Sequence, residues 1–246
     1  MTTRRNVLLG MLGFLGAAAC SAPPGPGGRG SGTVVCICAH PDDAESGCGG
    51  TLIRLVRAGF HVKVIYTFAG GIPGKTGREV VETRREEAKR ACKLMGAEPS
   101  FLFDDQGGSK LDTPWLPTLI ADLKQANPAM IFSHWSMDSH PDHQIAALLA
   151  FRAAQGLDAM PEMYFFEVEH GRQTMAFDPS VYVDITAVRA DKVKALMAHE
   201  SQEPMKLYKR DHEQMELFRG REAGYAAAEA FIPLRAGYTR LTDALD

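Results

Sequence analysis

"VVCICAHPDDAESGCGG", residues 34–50, decides how this chain is read. A continuous apolar run, as expected of a strand covered on both faces, stops abruptly at His40, Pro41, Asp42 and Asp43. A glycine-rich turn follows. Two adjacent carboxylates are unfavourable unless something positive stands near them.

Working outward, strand and helix patterns alternate. "CGGTLIRLVRAG" places Leu52, Leu55 and Val56 at helical spacing and stops at Gly59. "HVKVIYTF" predicts a second strand. "GGIPGKTG", residues 70–77, predicts a substrate-side loop, since its Gly-Lys-Thr lacks the spacing of a phosphate loop. A long helix follows in "REVVETRREEAKRACKLMGA", then a strand in "SFLF" and a helix bounded by prolines in "PWLPTLIADLKQANP". "AMIFSHW" predicts a strand and "HPDHQIAALLAFRAAQ" a helix. "MYFFEV" and "SVYVDIT" predict strands, and "AVRADKVKALMAHESQ" another helix. The alternation predicts a Rossmann-like three-layer α/β fold with a mainly parallel sheet and helices on both faces. Ligands of such sheets bind beyond the carboxyl ends of the strands. His-Pro-Asp occurs at 40–42 and again at 140–142, each time after a strand, so the two can meet at one edge.

The 246 residues suit one domain with appendages. Apolar content of 45%, charge of 23% and a net charge of −3 describe a globular protein, with no basic run to suggest a nucleic-acid partner. The start is different. "MTTRRNVLLGMLGFLGAAAC" has paired Arg4 and Arg5, an apolar segment, small residues and Cys20. It predicts a twin-arginine signal peptide over 1–19 and lipid attachment to the membrane at Cys20. Residues 20–32 then form a flexible tether, and 33–246 the functional domain. The expected location is the periplasm or cell envelope. Cys36 and Cys38 share one face of one strand, and no CxxC occurs, so no disulfide framework is expected.

The residues that carry chemistry fall in two stretches: His40, Asp42 and Asp43, then His134, Asp138, His140, Asp142 and His143. A divalent metal resolves the carboxylate pair. Catalytic zinc takes imidazole nitrogen and carboxylate oxygen from three protein ligands. His40 and Asp43, three apart across a turn, can face one ion, with a third ligand from the second stretch. Asp42 is then free to act as a base beside a water, the arrangement amide hydrolysis needs. Helix capping would explain the aspartates, but neither His40 nor the second stretch. Two histidines and a carboxylate also make the iron site of oxygenases, so Fe2+ stands as the alternative to Zn2+. A non-catalytic glycan-binding module with a structural metal is the remaining reading.

"AHPDDAESGCGGTL" with "HWSMDSHPDH" resembles the PIG-L/LmbE-like family of zinc-dependent N-deacetylases. "RREEAKRACKLMG", "YVDIT" and "KALMAHESQ" extend the resemblance over most of 33–203. It implies hydrolysis of the acyl amide of an N-acetylglucosamine conjugate or related N-acyl compound. It implies His40, Asp43 and His143 as metal ligands and Asp42 as general base. It further implies His140 as an imidazolium stabilising the oxyanion, with Asp142 holding its ring, and Arg84 on the substrate side. His134, Asp184 and His199 would orient ligands or make structural hydrogen bonds. An oligomer is compatible with the sequence, which names neither the acyl group nor the sugar.

Overall fold

The computed structural model describes residues 31–103, 115–168, 172–235 and 240–245. The predicted signal peptide, Cys20, the tether up to residue 30 and the loop 104–114 lie outside the described residues. Seven strands form one sheet: β1 (Thr33–Cys38), β2 (His61–Tyr66), β3 (Glu98–Phe101), β4 (Pro128–His134), β5 (Glu162–Phe166), β6 (Val181–Asp184) and β7 (Ala228–Pro233). Their order is β3-β2-β1-β4-β5-β7-β6. Strands β1 to β5 pair in parallel, and β7 runs antiparallel between β5 and β6. The fold is the expected mainly parallel, Rossmann-like sheet layered with helices.

The period of two in β1 builds both layers of core. Val34, Cys36 and Cys38 face one side and pack with Leu52, Leu55 and Tyr66. Val35 and Ile37 face the other and pack with Leu119, Leu123 and Leu149. On the first side lie α1 (Asp43–Gly47), α2 (Gly49–Arg57), α3 (Arg78–Met95) and α6 (Arg189–Leu196). On the second lie α4 (Trp115–Ala126) and α5 (Pro141–Gln155). The chain continues through α7 (Pro204–Leu207), a π-helical turn (Tyr208–His212), α8 (Glu213–Ala223) and α9 (Arg240–Leu245). Helix α2 lies so close to the end of β6 that a Cβ on Gly50 would come within 2.6 Å of Ile185 Cγ2. Cys36, Cys38, Cys48 and Cys92 are buried free thiols. Among the described residues, no helix is long and apolar enough to cross a membrane.

Several elements depart from the sequence expectation, among them the helices after α6. The third strand, Glu98–Phe101, begins two residues before "SFLF". The last strand, "AEAFIP", follows the parallel units and inserts between β5 and β6, so its hydrogen bonds come from strands distant in sequence. Strand β1 pairs with β2 on one side and β4 on the other, where the direction of winding reverses. Its carboxyl end is therefore the crevice where ligands of such sheets bind.

Candidate active site

At that crevice β1 turns sharply into α1. The turn is closed by Asp43, whose Oδ2 accepts the His40 backbone N–H at 2.6 Å. Asp42 sits at φ 116°, a left-handed conformation that costs a non-glycine residue on the order of 1–3 kcal/mol and that surrounding contacts must hold. Its side chain makes no capping bond to α1. Neither aspartate is therefore explained by capping: one is spent on the turn and the other is aimed elsewhere.

The second stretch comes from the adjacent strand. His134 ends β4, and its Nε2 accepts the Ala39 N–H at 2.9 Å. Asp138, buried, spans the next turn: Oδ1 accepts the His140 N–H at 2.7 Å and Oδ2 lies 2.9 Å from His143 Nδ1. That leaves His143 Nε2 facing Asp43 Oδ1 at 3.4 Å. His40 Nδ1 and His134 Nε2 lie 3.4 and 3.3 Å from Asp43 Oδ2. Asp43 is thus ringed by three imidazoles. Burial would raise its carboxyl, but His143 and His134 hold it well below the carboxylate range. Burial would likewise lower His40 and His143, yet Asp142 and Asp43 lift His40 to about 9, and Asp43 and Asp138 lift His143 to about 10. His134, deepest in the cluster, is pushed by burial and by His143 down to about 4.

Two contacts correct the sequence reading. The Asp142 carboxylate lies 2.9 Å from His40 Nε2, whereas His140 Nδ1 accepts only the Asp142 backbone N–H, at 3.2 Å. His140 is the N-cap of α5, so the helix start, rather than a carboxylate, orients its ring. Burial, with His143 and His40 close by, lowers its pKa.

Arg84 is buried on α3 rather than solvated with its charged neighbours. Nε donates to Ala69 O at 3.0 Å, and the two Nη atoms lie 3.5 and 3.4 Å from the Asp42 oxygens. Burial raises Asp42 above the usual carboxylate range against the pull of Arg84. Gly70 fits into this corner at φ 72°, where a Cβ would meet His40 Cδ2 at 3.2 Å and Arg84 Nη2 at 3.3 Å. A side chain at this position would crowd the ligand cluster and strain the backbone, so glycine suits the close approach of the loop.

Of the remaining candidates, His199 is fully buried behind the turn, together with Glu45 of α1. Tyr66 Oη donates to Glu45 Oε1 at 2.8 Å, and His199 Nε2 lies 3.4 Å from the same oxygen. Asp184 lies elsewhere, accepting from Thr186 N–H and Oγ1 in a turn after β6. Four further residues belong to the surroundings of the site; of these only Glu87 carried a sequence signal, standing three residues after Arg84 in "RREEAKRACKLMG". Gln173 Nε2 lies 3.0 Å from His143 Nδ1, and Glu87 accepts from Ser201 N–H and Oγ at 2.7 Å. Ser46 and His212 line the cavity. Asp138, already among the sequence candidates, stands five residues before His143 and so on the turn that enters the same helix.

The donor atoms of His40, Asp43 and His143 lie within 4.8 Å of one another, all three residues buried. Two imidazoles and a carboxylate, one ring braced by Asp138 and the other by Asp142, fit a divalent transition metal. His40–His140–Asp142 and His134–Asp138–His143 are equally compact. In the latter, however, His134 Nε2 and both Asp138 oxygens are already occupied by hydrogen bonds. The first set opens on a cavity of about 280 Å³, with Asp42, His140 and Arg84 also in its wall.

Residues 35–154 match the family described as PIG-L: GlcNAc-PI de-N-acetylase. The chain is 28% identical over 226 residues to a diacetylchitobiose deacetylase of Thermococcus kodakarensis, covering 81% of this chain and 83% of the relative. It is 27% identical over 186 residues to a probable N-acetyl-alpha-D-glucosaminyl L-malate deacetylase 2 of Bacillus cereus, covering 69% and 83%. The structure of the 4-carboxy-2-hydroxymuconate hydratase of Pseudomonas putida superposes with a TM-score of 0.69 over 85% of this chain and 98% of that one. At 22% identity that likeness concerns the fold alone. The fold serves more than one chemistry, so function rests on the site.

Proposed function

The chain carries a PIG-L family domain over residues 35–154, and we propose that it is a metal-dependent N-deacetylase that hydrolyses the acyl amide of an N-acetylglucosamine conjugate. The observation that carries this is the division of labour between two neighbouring aspartates. Asp43 lies among three imidazoles, and Asp42 faces the cavity beside Arg84.

His40, Asp43 and His143 would hold the ion, Zn2+ in the first instance. When bound there, the ion would supply Lewis acidity to the amide carbonyl and to a water. Asp42, raised by burial and positioned by Arg84, takes the water's proton at a carboxylate oxygen. His140, fixed at the helix start, offers its ring to the oxygen on which charge develops. Asp142 and Asp138 keep the His40 and His143 rings in register. An oxygenase has no use for a raised carboxylate beside its metal, and a purely structural zinc site is normally closed by four protein ligands. Arg4, Arg5 and Cys20 support the same enzyme acting outside the cytoplasm, attached by a lipid; activity confined to the cytosol on fractionation would sink that part.

The test is acetate release by the zinc-loaded protein from N,N'-diacetylchitobiose and N-acetylglucosamine, with oxygen consumption followed in parallel. Asp42→Asn should retain its metal while turnover falls by about 100-fold or more. Unchanged turnover, or oxygen-dependent product, overturns the proposal.

A further inference from the structure

Resting on that reading, we propose that Ser46 and His212 form a hydroxyl-reading subsite, which selects a polyhydroxylated sugar ring over other N-acyl compounds. Ser46 Oγ and His212 Nδ1 share a hydrogen bond of 2.5 Å across 166 residues of sequence. Both side chains are more than nine-tenths buried, yet both line the cavity that contains Asp42 and Asp43. Neither belongs to the ligand cluster, and neither is used by the hydrolytic step.

Their placement is built rather than incidental. Ser46 stands one helical turn beyond Asp43 on α1, and its N–H donates to Asp42 O at 2.9 Å. The subsite is thereby tied to the backbone of the base. His212 ends the π-helical turn Tyr208–His212 between α7 and α8. Such a turn carries one residue more than an α-turn, re-aims the side chains that follow, and concentrates at functional sites. On this stretch Tyr208, Asp211 and His212 are buried, while Lys209 and Arg210 stay outside.

The chemistry suits a hydroxyl. A serine hydroxyl and an imidazole each donate or accept as the tautomer requires, matching the double character of a sugar hydroxyl. The apolar side chains of Val168, Leu196 and Leu207 line the same cavity and suit the C–H faces of a pyranose. Among the described lining residues Arg84 is the one lysine or arginine, and it is engaged by Asp42 and Ala69 O. Discrimination here rests on hydrogen bonds to an uncharged ring. At about 280 Å³ the cavity is near the small end for ligand sites and takes one sugar residue, leaving the conjugate outside.

The experiment crosses variants with substrates. N-acetylglucosamine and its 3-, 4- and 6-deoxy analogues are compared on the wild type, Ser46→Ala, His212→Asn and His212→Gln, by kcat/KM for acetate release and by calorimetric binding. Metal content and Tm are recorded for each. His212→Asn keeps a polar atom towards Ser46 but removes the far edge of the ring. The wild type should lose about tenfold or more in kcat/KM on one deoxy analogue. His212→Asn should lose a similar factor on the parent sugar, mainly in KM, and little further on that analogue, because the two changes remove one interaction. A merely structural His212 predicts the opposite: rescue by Asn, or penalties that add across all analogues. Either result overturns the subsite while leaving the deacetylase reading intact. Should no acetate be released, the calorimetric cycle still decides the subsite, and only the deacetylase reading falls.

Discussion

Two clusters of charge are built on this sheet, and the one at the crevice lines the cavity described above. The other, closed one centres on Lys192, whose Nζ lies 3.0 Å from Glu216 Oε1 and 2.8 Å from Glu229 Oε1. Glu229 also accepts from Gly50 N–H, Thr51 N–H and Thr51 Oγ1, and so caps the start of α2 from β7. Arg189 Nε and Tyr208 Oη fill Glu216 Oε2. Two lysine or arginine cations face two carboxylates. At the crevice, four carboxylates (Asp42, Asp43, Asp138 and Asp142) gather around Arg84 and imidazoles. Four carboxylates against one arginine leave an excess of negative charge, which shrinks when His40 and His143 hold protons or when a divalent cation stands among the ligands. Burial of charge does not by itself mark function. An excess of acidic donors converging on an open cavity does.

The largest effect should come from removing the acid at the centre of the open cluster. Asp43→Asn should reduce bound metal to background and cost at least about 1,000-fold in turnover, because the ion supplies several kcal/mol of charge stabilisation. Metal analysis alongside kinetics checks it, and an active variant with full metal would dissolve the distinction between the clusters. Lys192→Met attacks the closed cluster. Removing one partner of a buried set leaves uncompensated charge, at a cost of about 3–5 kcal/mol in denaturant unfolding. The folded fraction should keep its metal and its turnover. Asp138→Asn is milder than either: by loosening the His143 ring it should weaken metal affinity by about 10- to 100-fold, read by competition with a chelator.

The sequence was informative in proportion to how local each contact is. "VVCICA" announces a covered strand because neighbours along the chain set its pattern, and the two His-Pro-Asp segments advertise themselves by composition. Their meeting follows from winding order alone. The resemblance, and not the charge pattern of α3, singled out Arg84, because the carboxylate beside it comes from 42 residues away. The ring-holder of His40 was assigned to His140, since spacing shows that Asp142 is near both and not which way it turns. Strand β7 and helix α8 escaped for a related reason. Glu216 and Arg219 are buried on α8 by ion pairs with distant partners, so apolar periodicity has nothing to detect there. His212 lies on a π-turn, a register that a 3.6-residue period cannot reveal.

The smallest effect sharpens the comparison through pH. Burial alone would raise Glu216, but Lys192 and Arg189 hold it below its ordinary value of 4.5. A carboxylate depressed in the folded state contributes stability that is fully present above its unfolded pKa and is lost as pH falls through the folded one. The wild type should therefore lose this contribution only in acid, below about pH 4.5. In Lys192→Met the main lowering influence is gone and burial pushes Glu216 upward, so the sign reverses towards neutrality. The penalty of the variant should be greatest near pH 7 and should shrink towards pH 4 as Glu216 takes up a proton. Urea unfolding of both proteins across that range, in the presence of chelator so that the crevice does not contribute through its metal, measures the difference directly. A penalty independent of pH would mean that Lys192 acts by packing rather than by charge, and that the closed cluster is not the electrostatic counterpart of the open one.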